Sequence, residues 1–433
     1  MAAEEKTVRL VVEQRLCTSC GTCAAACPTG AIAMRETPAG FPRPFIDDET
    51  CTGCGLCYQV CSGVHFHFDL PESAAALFRP QPRAVYLGRA VDEKIHALGQ
   101  SGGTATALLA YLMKRRWISH ALVTRMPADG SLRPEAFFAN SAEHLLECMG
   151  SKYCLNPLNA ALRRWPDKAS GVAVVALGCH VHGLRNLAHL LPQRWEGAFK
   201  LVLGLFCRQS VGYLSTDYML RKWAGGKPVV RFLYRSKTAP GEQGHPAIEY
   251  ADGSRQDLPD GFLWKMFNDK FAPLRCRLCF DQLNLASDLA VGDANGYPPE
   301  IVKQGMNSIA VYTERGEELL AEAHRDGAVE LVPSSAEELW AGQALGDREM
   351  RVINGFSHFR RLGREVPDVA PLKTREPVRV SLAVRMILET LWALEAARSR
   401  RSASRRLTWL RGLLGAISEA KRRLRGLAQS QTG

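Results

Sequence analysis

The chain has 433 residues, of which 46% are hydrophobic and 23% charged, and 14 are cysteines. This composition excludes a disordered, collagen-like or coiled-coil protein, and the length excludes a small disulfide-stabilised module and predicts two to four domains. The formal net charge is +11, but residues 373–433 hold 14 Lys and Arg against 4 Glu, so the preceding 372 residues are almost neutral at +1. We therefore predict no nucleic-acid binding by the main part of the chain.

The N-terminus carries no predicted targeting segment. It begins with acidic residues, Glu4 and Glu5, and lacks both the basic start and the apolar stretch of a secretion signal. No apolar run approaches the ~18 residues that span a membrane. We expect the cysteines to remain reduced in the cytoplasm, where clustered thiols usually hold metal or carry out redox chemistry.

Two cysteine runs near the N-terminus follow one pattern. Each has the spacing C-x2-C-x2-C-x3-C, the second run starts 34 residues after the first, and six of eleven positions are identical, which indicates an internal duplication. In 4Fe-4S proteins with this spacing, three thiolates on a tight loop bind one cluster, and the fourth, on the following helical turn, binds the other. Two zinc sites are the alternative, although zinc pairs are normally separated by longer spacers. The predicted ligand sets are Cys17, Cys20, Cys23 and Cys61 for one cluster and Cys51, Cys54, Cys57 and Cys27 for the other.

These motifs resemble those of the bacterial two-cluster ferredoxins over about residues 8–70. Pro28 follows the first run, as in that family, whereas Ser62 stands where the family usually repeats the proline. The resemblance implies an α+β ferredoxin-like domain over residues 1–72.

A glycine-rich turn at 99–104 lies between a predicted strand at 85–88 and a predicted helix at 104–115, and a further strand is predicted at 118–124. Backbone N–H groups at such a turn, together with the helix dipole, can bind an anionic group. Gly99, Ser101 and Gly103 also satisfy the nucleophile-elbow pattern, but a hydrolase has no use for eight ferredoxin-spaced cysteines. Neither a G-x-G-x-x-G fingerprint after a strand nor a P-loop is present, which disfavours NADH.

Four further cysteines are candidates for a third site. Apolar runs at 171–177 and 201–206 have the composition of buried parallel strands, and each ends close to a cysteine, Cys179 or Cys207. With the pair Cys276 and Cys279 they could form a third 4Fe-4S site or a zinc site, or they could be buried thiols. The isolated Cys148 and Cys154 are given no role, and the Gly-, Pro- and acid-rich segment 237–260 is predicted to be a surface excursion.

Four histidines lie close to cysteines in the sequence. His65 and His67 alternate with phenylalanines as in a half-buried strand, and His180 and His182 follow Cys179 closely. Because enough cysteines are available, we interpret these histidines as hydrogen-bonded side chains rather than iron ligands.

Segments 99–104, 150–153, 276–281 and 287–293, in this order, resemble the family of coenzyme F420 hydrogenase/dehydrogenase beta subunits, over about residues 85–330. Gly178 stands before Cys179 where the family commonly has proline, and Arg208 replaces a small or polar residue after Cys207. The resemblance implies an FAD-binding α/β core without the Rossmann fingerprint over residues 80–370, in two parts at about 80–165 and 170–370. It also favours a third 4Fe-4S cluster on Cys179, Cys207, Cys276 and Cys279. The implied flavin contacts are Ser101, Gly102, Gly103, Thr104, Ser151, Lys152, Tyr153, Gly292 and Asp293.

The resemblance implies an oxidoreductase in which FAD exchanges hydride with the deazaflavin coenzyme F420 and single electrons with the clusters. A redox partner protein or a ferredoxin would be the one-electron partner. The related chlorophyll-pathway reductases, which take electrons from ferredoxin to reduce an organic substrate, provide an alternative. A non-enzymatic electron-transfer or docking subunit is a third possibility. Lys152 could instead be solvated, and Gly292 and Asp293 could form an ordinary turn.

Residues 371–433 are predicted to be a basic helical tail outside the family resemblance. Segments 378–397 and 407–427 have the periodicity of amphipathic helices with tryptophan and many arginines. Such helices suit an anionic membrane surface or an acidic partner, which would place a cytoplasmic protein peripherally on the inner face of the membrane. Docking of the tail on the protein's own core is the alternative.

Overall fold

A mixed sheet of eight strands forms the centre of the fold in the computed structural model, which describes residues 6–127, 130–237, 242, 244–258, 271–373 and 375. The strand order is β13-β3-β12-β11-β7-β6-β4-β5. The neighbouring pairs from β11 to β4 are parallel, and every other neighbouring pair is antiparallel. A two-stranded and a three-stranded sheet complete the set. The strands are β1 Ile32–Glu36, β2 Pro42–Ile46, β3 Ala84–Ala90, β4 His120–Arg125, β5 Glu135–Ala139, β6 Val172–Leu177, β7 Phe199–Leu205, β8 Val229–Ser236, β9 His245–Tyr250, β10 Arg255–Asp257, β11 Leu289–Asp293, β12 Asn307–Val311 and β13 Val329–Ser334.

Helices cover both faces of the large sheet, as its parallel centre requires. The helix predicted at 104–115 is confirmed as Thr104–Lys114, and it begins after Gly103, whose φ of +71° suits glycine. Two 3-10 helices, Leu158–Arg164 and Leu274–Leu278, complete the described helical segments. The α-helices are α1 Val8–Glu13, α2 Thr22–Ala26, α3 Leu56–Gln59, α4 Ala74–Phe78, α5 Glu93–Leu98, α6 Thr104–Lys114, α7 Ala142–Glu147, α8 Gly178–Leu190, α9 Pro192–Trp195, α10 Leu214–Trp223, α11 Pro299–Lys303, α12 Glu314–Arg325, α13 Ala336–Gly342, α14 Leu345–Arg361 and α15 Ala370–Lys373.

The predicted strands of the core are confirmed. The apolar runs at 171–177 and 201–206 are β6 and β7, which pair in parallel. Val174 and Leu203 are completely buried, because α/β architecture covers both faces of these strands. The expected mixed α/β core is therefore correct.

The N-terminal module consists of the two cysteine loops, the helices α2 and α3 that follow them, and the hairpin of β1 and β2. It packs directly against the core: a Cβ on Gly21 would lie 2.7 Å from Ala160 N. At a second place in this boundary, Arg133 donates two hydrogen bonds to Glu36 of the module and two to Asp217 of α10. The module and the core thus share one packed boundary.

Two local expectations are wrong. The segment 237–260 is no simple excursion, because β9 and β10 form a sheet with β8 in which Ala247, Ile248 and Tyr250 are buried. The many Gly, Pro and acidic residues of the segment have the composition of a loop, and this composition concealed the strands. His65 and His67 lie outside any strand, and they stack on each other with ring centroids 5.8 Å apart.

The predicted amphipathic helices at 378–397 and 407–427 lie outside the described residues. Within the described part of the chain, no helix has both the length and the apolar character needed to span a bilayer.

Candidate functional site

Three neighbouring parallel strands, β6, β7 and β11, end at one edge of the large sheet. Cys179 follows β6 in the first turn of α8, Cys207 follows β7 by two residues, and Asp293 is the last residue of β11. The carboxyl edge of an α/β sheet is where such folds bind ligands. The edge therefore places two predicted cluster ligands beside a predicted flavin contact.

The third thiol set, defined as Cys179, Cys207, Cys276 and Cys279, comes together at this edge. The last two are contributed by the 3-10 helix Leu274–Leu278 and the residue after it. Burial, together with the charges of neighbouring thiolates that include the other three, raises the pKa of Cys179 well above its ordinary value. Burial and Cys276 raise the pKa of Cys207 to about 12. Buried thiolates that repel one another need a cationic partner, so the set suits an iron-sulfur cluster.

The first thiol set, defined as Cys17, Cys20, Cys23 and Cys61, lies in the interior with each residue only 6% exposed. Burial and the charges of Cys20, Cys61 and Cys17 raise the pKa of Cys23 well above its ordinary value. The distant Cys61 thus joins the first cysteine loop, in the crossed arrangement predicted from the spacing. Ser62, at the position of the family's second proline, places its hydroxyl 3.5 Å from Cys20 Sγ.

The second thiol set, defined as Cys27, Cys51, Cys54 and Cys57, lines one pocket near the surface, where Cys54 is exposed. Burial and the charges of Cys54, Cys27 and Cys51 raise the pKa of Cys57. The pKa of Cys27 shifts in the opposite direction. Hydrogen bonds from Thr29 and from the backbone N–H groups that follow it outweigh the effect of burial and lower this pKa. No three His, Cys, Asp or Glu side chains within the described residues are positioned to hold a single metal ion.

The three thiol sets follow one another through the protein. Cys20 of the first set is near enough to Cys179 of the third for its charge to act on it. Cys57 of the second set acts in the same way on Cys23 of the first. A close approach of α8 to α2 brings the first and third sets together, since a Cβ on Gly183 would lie 2.0 Å from Thr22 Oγ1.

The three segments predicted to contact a flavin converge on Arg235, a residue that the sequence analysis did not single out. The Arg235 guanidinium donates to both carboxylate oxygens of Asp293, at 2.9 and 3.1 Å, and its charge acts on Tyr153. Ser101 Oγ also donates to Asp293, at 2.5 Å. Arg235 lies on β8, more than fifty residues from either partner segment, and no local pattern marks it.

The glycine turn does not present all of its backbone donors to a ligand. Asn307 Oδ1 accepts hydrogen bonds from the N–H groups of Gly102, at 3.0 Å, and Thr104, at 3.2 Å. Gly292 is explained by packing, because a Cβ there would lie 2.1 Å from the ring of Phe206. The N–H groups of Gly102 and Thr104 are therefore already satisfied by the protein's own amide, and the flavin contact of the turn stays a prediction.

Lys152 is not solvated, and its ammonium group caps the end of α7. It donates to the carbonyl oxygens of Cys148 and of Met149, the latter at 3.1 Å. Burial lowers the pKa of Lys152 from its ordinary value of 10.5 to about 8.

The lowered pKa predicts a pH-dependent contribution to stability. Between about pH 8 and 10.5 the unfolded chain holds a proton on Lys152 that the folded chain has lost, so this residue makes folding more favourable as the pH rises. From pH 8 to 10 the free energy of unfolding of the wild type should therefore rise relative to that of Lys152→Met, by up to about 1.4 kcal/mol per pH unit. Scanning calorimetry of both proteins tests this, with the exposed Lys303→Met as the control; a pH-independent difference would contradict the assignment.

A cleft beside Arg235 is open to solvent and has a volume of about 260 Å³. It is lined by Ser101, Arg235, Glu242, Asp293, Ala294, Asn295, Val302 and Met306. Its lining combines the Arg235 and Asp293 side chains with the hydroxyl of Ser101, so the cleft presents both donors and acceptors. The adjacent Gln100 Oε1 is buried without a hydrogen-bond partner, and such an acceptor suits a ligand N–H or O–H group. The polar lining of the cleft is therefore chemically compatible with the edge of a flavin ring.

Three of the four histidines near the thiols, His67, His180 and His182, make side-chain hydrogen bonds within the protein, whereas His65 Nε2 is buried without such a partner among the described residues. His180 Nε2 lies 2.9 Å from Asn156 O, and burial lowers its pKa to about 4. His182 Nε2 is 2.8 Å from Asp281 Oδ2 in a completely buried pair. Ser101 donates to a carboxylate instead of a histidine, which is not the arrangement of a nucleophile elbow.

Family models match most of the described chain. The "Coenzyme F420 hydrogenase/dehydrogenase, beta subunit" models match residues 85–163, for the N-terminal part, and 169–337, for the C-terminal part. A "4Fe-4S dicluster domain" model matches residues 16–62.

Two relatives and one solved structure are also similar to this chain. The chain is 26% identical to a subunit of the F(420)H(2) dehydrogenase of Methanosarcina mazei, over 82% of this chain and 94% of that protein. It is also 26% identical to the coenzyme F420-dependent sulfite reductase of Methanocaldococcus jannaschii, over 71% of this chain but only 46% of that longer protein. A chain of the F420-reducing [NiFe] hydrogenase complex from Methanosarcina barkeri has the same fold, with a TM-score of 0.51 and 20% identity over 65% of this chain and 94% of that one.

Proposed function

Because the chain belongs to the family of coenzyme F420 hydrogenase/dehydrogenase beta subunits and carries a 4Fe-4S dicluster domain, we propose that it passes electrons between reduced coenzyme F420 and a one-electron partner. The proposal includes one FAD and three 4Fe-4S clusters. The one-electron partner would be a further subunit or a ferredoxin, since the solved relative is named as part of a complex.

The observation that carries this proposal is the shared edge of β6, β7 and β11. Phe206, which precedes the thiol-bearing Cys207, packs against Gly292 of the predicted flavin segment. In addition, the Gln343 side chain donates to Asp293 O at 3.1 Å, and Gln282, whose carbonyl accepts from Cys207 N, donates to Gln343 O. The cleft and the third thiol set are therefore joined by direct packing and by hydrogen bonds.

The roles of the side chains follow from this arrangement. FAD, when bound, supplies the exchange between two-electron hydride chemistry and one-electron chemistry. Arg235 and Asp293 form an ion pair that fixes the walls of the cleft. The third, first and second thiol sets would hold clusters in that order between the cleft and the surface at Cys54. The direction of electron flow follows from the potentials of the partners.

Anaerobic donor titration tests the proposed function. We expect the purified protein to contain one FAD and about twelve irons per chain. Reduced coenzyme F420 should bleach the flavin absorbance rapidly, whereas NADH should leave it unchanged. Bleaching by reduced ferredoxin alone would instead identify a ferredoxin-driven reductase, and a protein without flavin would overturn the proposal.

A further inference from the structure

Two buried arginines hold the ligand loops of the thiol sets. Arg348 on α14 is 3% exposed and donates to Cys279 O at 3.0 Å and to Cys207 O at 2.8 Å. Arg275 is also 3% exposed, and it donates to Gly63 O at 2.9 Å and to Ser62 O at 3.3 Å, directly after Cys61. Each guanidinium thus binds neutral carbonyl groups beside predicted cluster ligands.

Neither guanidinium is paired with a carboxylate among the described residues, and Arg348 Nε has no hydrogen-bond partner there. Burying an unpaired cation is costly, since carbonyl dipoles replace only part of its hydration. A compensating negative charge is therefore expected close to each one. The nearest sources of such charge are the thiol sets, because Arg348 acts on Cys207 and Cys276, and Arg275 acts on Cys61 and Cys276.

We propose that Arg348 and Arg275 are the counter-charges of the iron-sulfur clusters, with Arg348 serving the third thiol set and Arg275 serving the first and third together. This inference rests on the proposed function, which supplies the clusters. Four thiolates leave an iron-sulfur cluster with a net negative charge that increases on reduction. A buried cation close to the cluster therefore stabilises the reduced form more than the oxidised form and raises the reduction potential.

Arg348 and Arg275 are positioning residues. Because they lie beside different thiol sets, their loss should change the reduction potentials of different clusters. Loss of the Arg348 charge should lower the potential of one cluster, whereas loss of the Arg275 charge should lower the potentials of two. The cluster of the second thiol set should remain unchanged in both variants, because neither arginine donates to its loops. It therefore serves as an internal reference.

Redox titration followed by EPR on the iron-loaded protein tests the proposal. In Arg348→Gln, which keeps a hydrogen-bond donor and removes the charge, the ratio of reduced to oxidised third cluster at the wild-type midpoint should fall about tenfold, or about 59 mV for a one-electron couple. Arg348→Lys should restore most of the potential. Arg275→Gln should shift the first and third clusters together.

Arg163→Gln is the matched control. Arg163 also donates to a ligand carbonyl, Cys27 O at 3.1 Å, but its side chain is exposed, so solvent screens its charge. This variant should leave all three potentials close to those of the wild type.

The possible failures are distinguishable. Fully loaded Arg348→Gln and Arg275→Gln proteins with wild-type potentials would overturn this inference and leave the proposed function intact. An equal shift in Arg348→Lys and Arg348→Gln would also overturn it, since hydrogen-bond geometry and not charge would then be responsible. A wild-type protein that binds no iron would instead refute the proposed function. Should Arg348→Gln fail to fold, Arg275→Gln and Arg275→Lys provide the same comparison.

Discussion

Replacement of Cys179 by serine is expected to lower the iron content from about twelve to about eight atoms per chain. Serine is a poor iron ligand, and Cys179 lies at the junction of the third and first thiol sets. The flavin should still be bleached by reduced coenzyme F420, but the two remaining clusters should stay oxidised, because their connection to the cleft is lost. Iron analysis and EPR after mixing with reduced coenzyme F420 measure both effects.

Cys154→Ser is the matched control for this variant. Cys154 is also buried, but its thiol lies 2.9 Å from Tyr234 Oη and 3.2 Å from Thr216 Oγ1. Neither of these residues belongs to a thiol set. It should keep about twelve irons. An unchanged iron content in Cys179→Ser would show that the third thiol set holds no cluster.

A second large effect is expected where α8 meets α2. In Gly183→Ala the new Cβ would lie 2.0 Å from Thr22 Oγ1, which is held by a hydrogen bond from Asn159 Nδ2 at 2.9 Å. Overpacking of this kind costs about 1–3 kcal/mol, and relief by separating the helices would move the first thiol set away from the third. We therefore expect lower thermal stability and slower reduction of the ferredoxin clusters, both measurable anaerobically.

The double variant Gly183→Ala with Thr22→Ala removes the atom that clashes. It should be more stable than Gly183→Ala alone, which a double-mutant cycle detects as a favourable coupling. Gly346→Ala, on α14, is the control for glycine replacement within a helix, since among the described residues the new Cβ would meet only Arg79 Nη2, at 3.7 Å. If Gly183→Ala behaves like Gly346→Ala, the helix contact does not control the distance between the sets.

The grouping of the thiols could be anticipated because cluster ligation imposes a local spacing. The structure brings Cys61 into the set of Cys17, Cys20 and Cys23, the grouping that the duplicated motif predicts. The strands β6 and β7 were equally readable, since strands buried on both faces are continuous apolar runs. Identification of the family from short motifs is confirmed by the family models.

The residues that complete the site could not be read from the sequence. Arg235, Asn307 and Arg348 act over separations of 58 to 205 residues, and such contacts leave no local period or motif. Lys152 matched a family motif, but its position at the end of α7 depends on a turn of the backbone that the motif does not reveal. The sheet of β8 to β10 was missed because the Gly, Pro and acidic residues of its segment have the composition of a loop, although Ala247 and Ile248, which point to opposite faces of β9, are both buried.

The most direct test of the account is to follow the flavin and the clusters together after reduced coenzyme F420 is mixed with the oxidised protein under anaerobic conditions. We predict that bleaching of the flavin is followed by the EPR signals of reduced clusters, within the same turnover and without added mediator. Clusters that stay oxidised while the flavin is fully reduced would contradict the account.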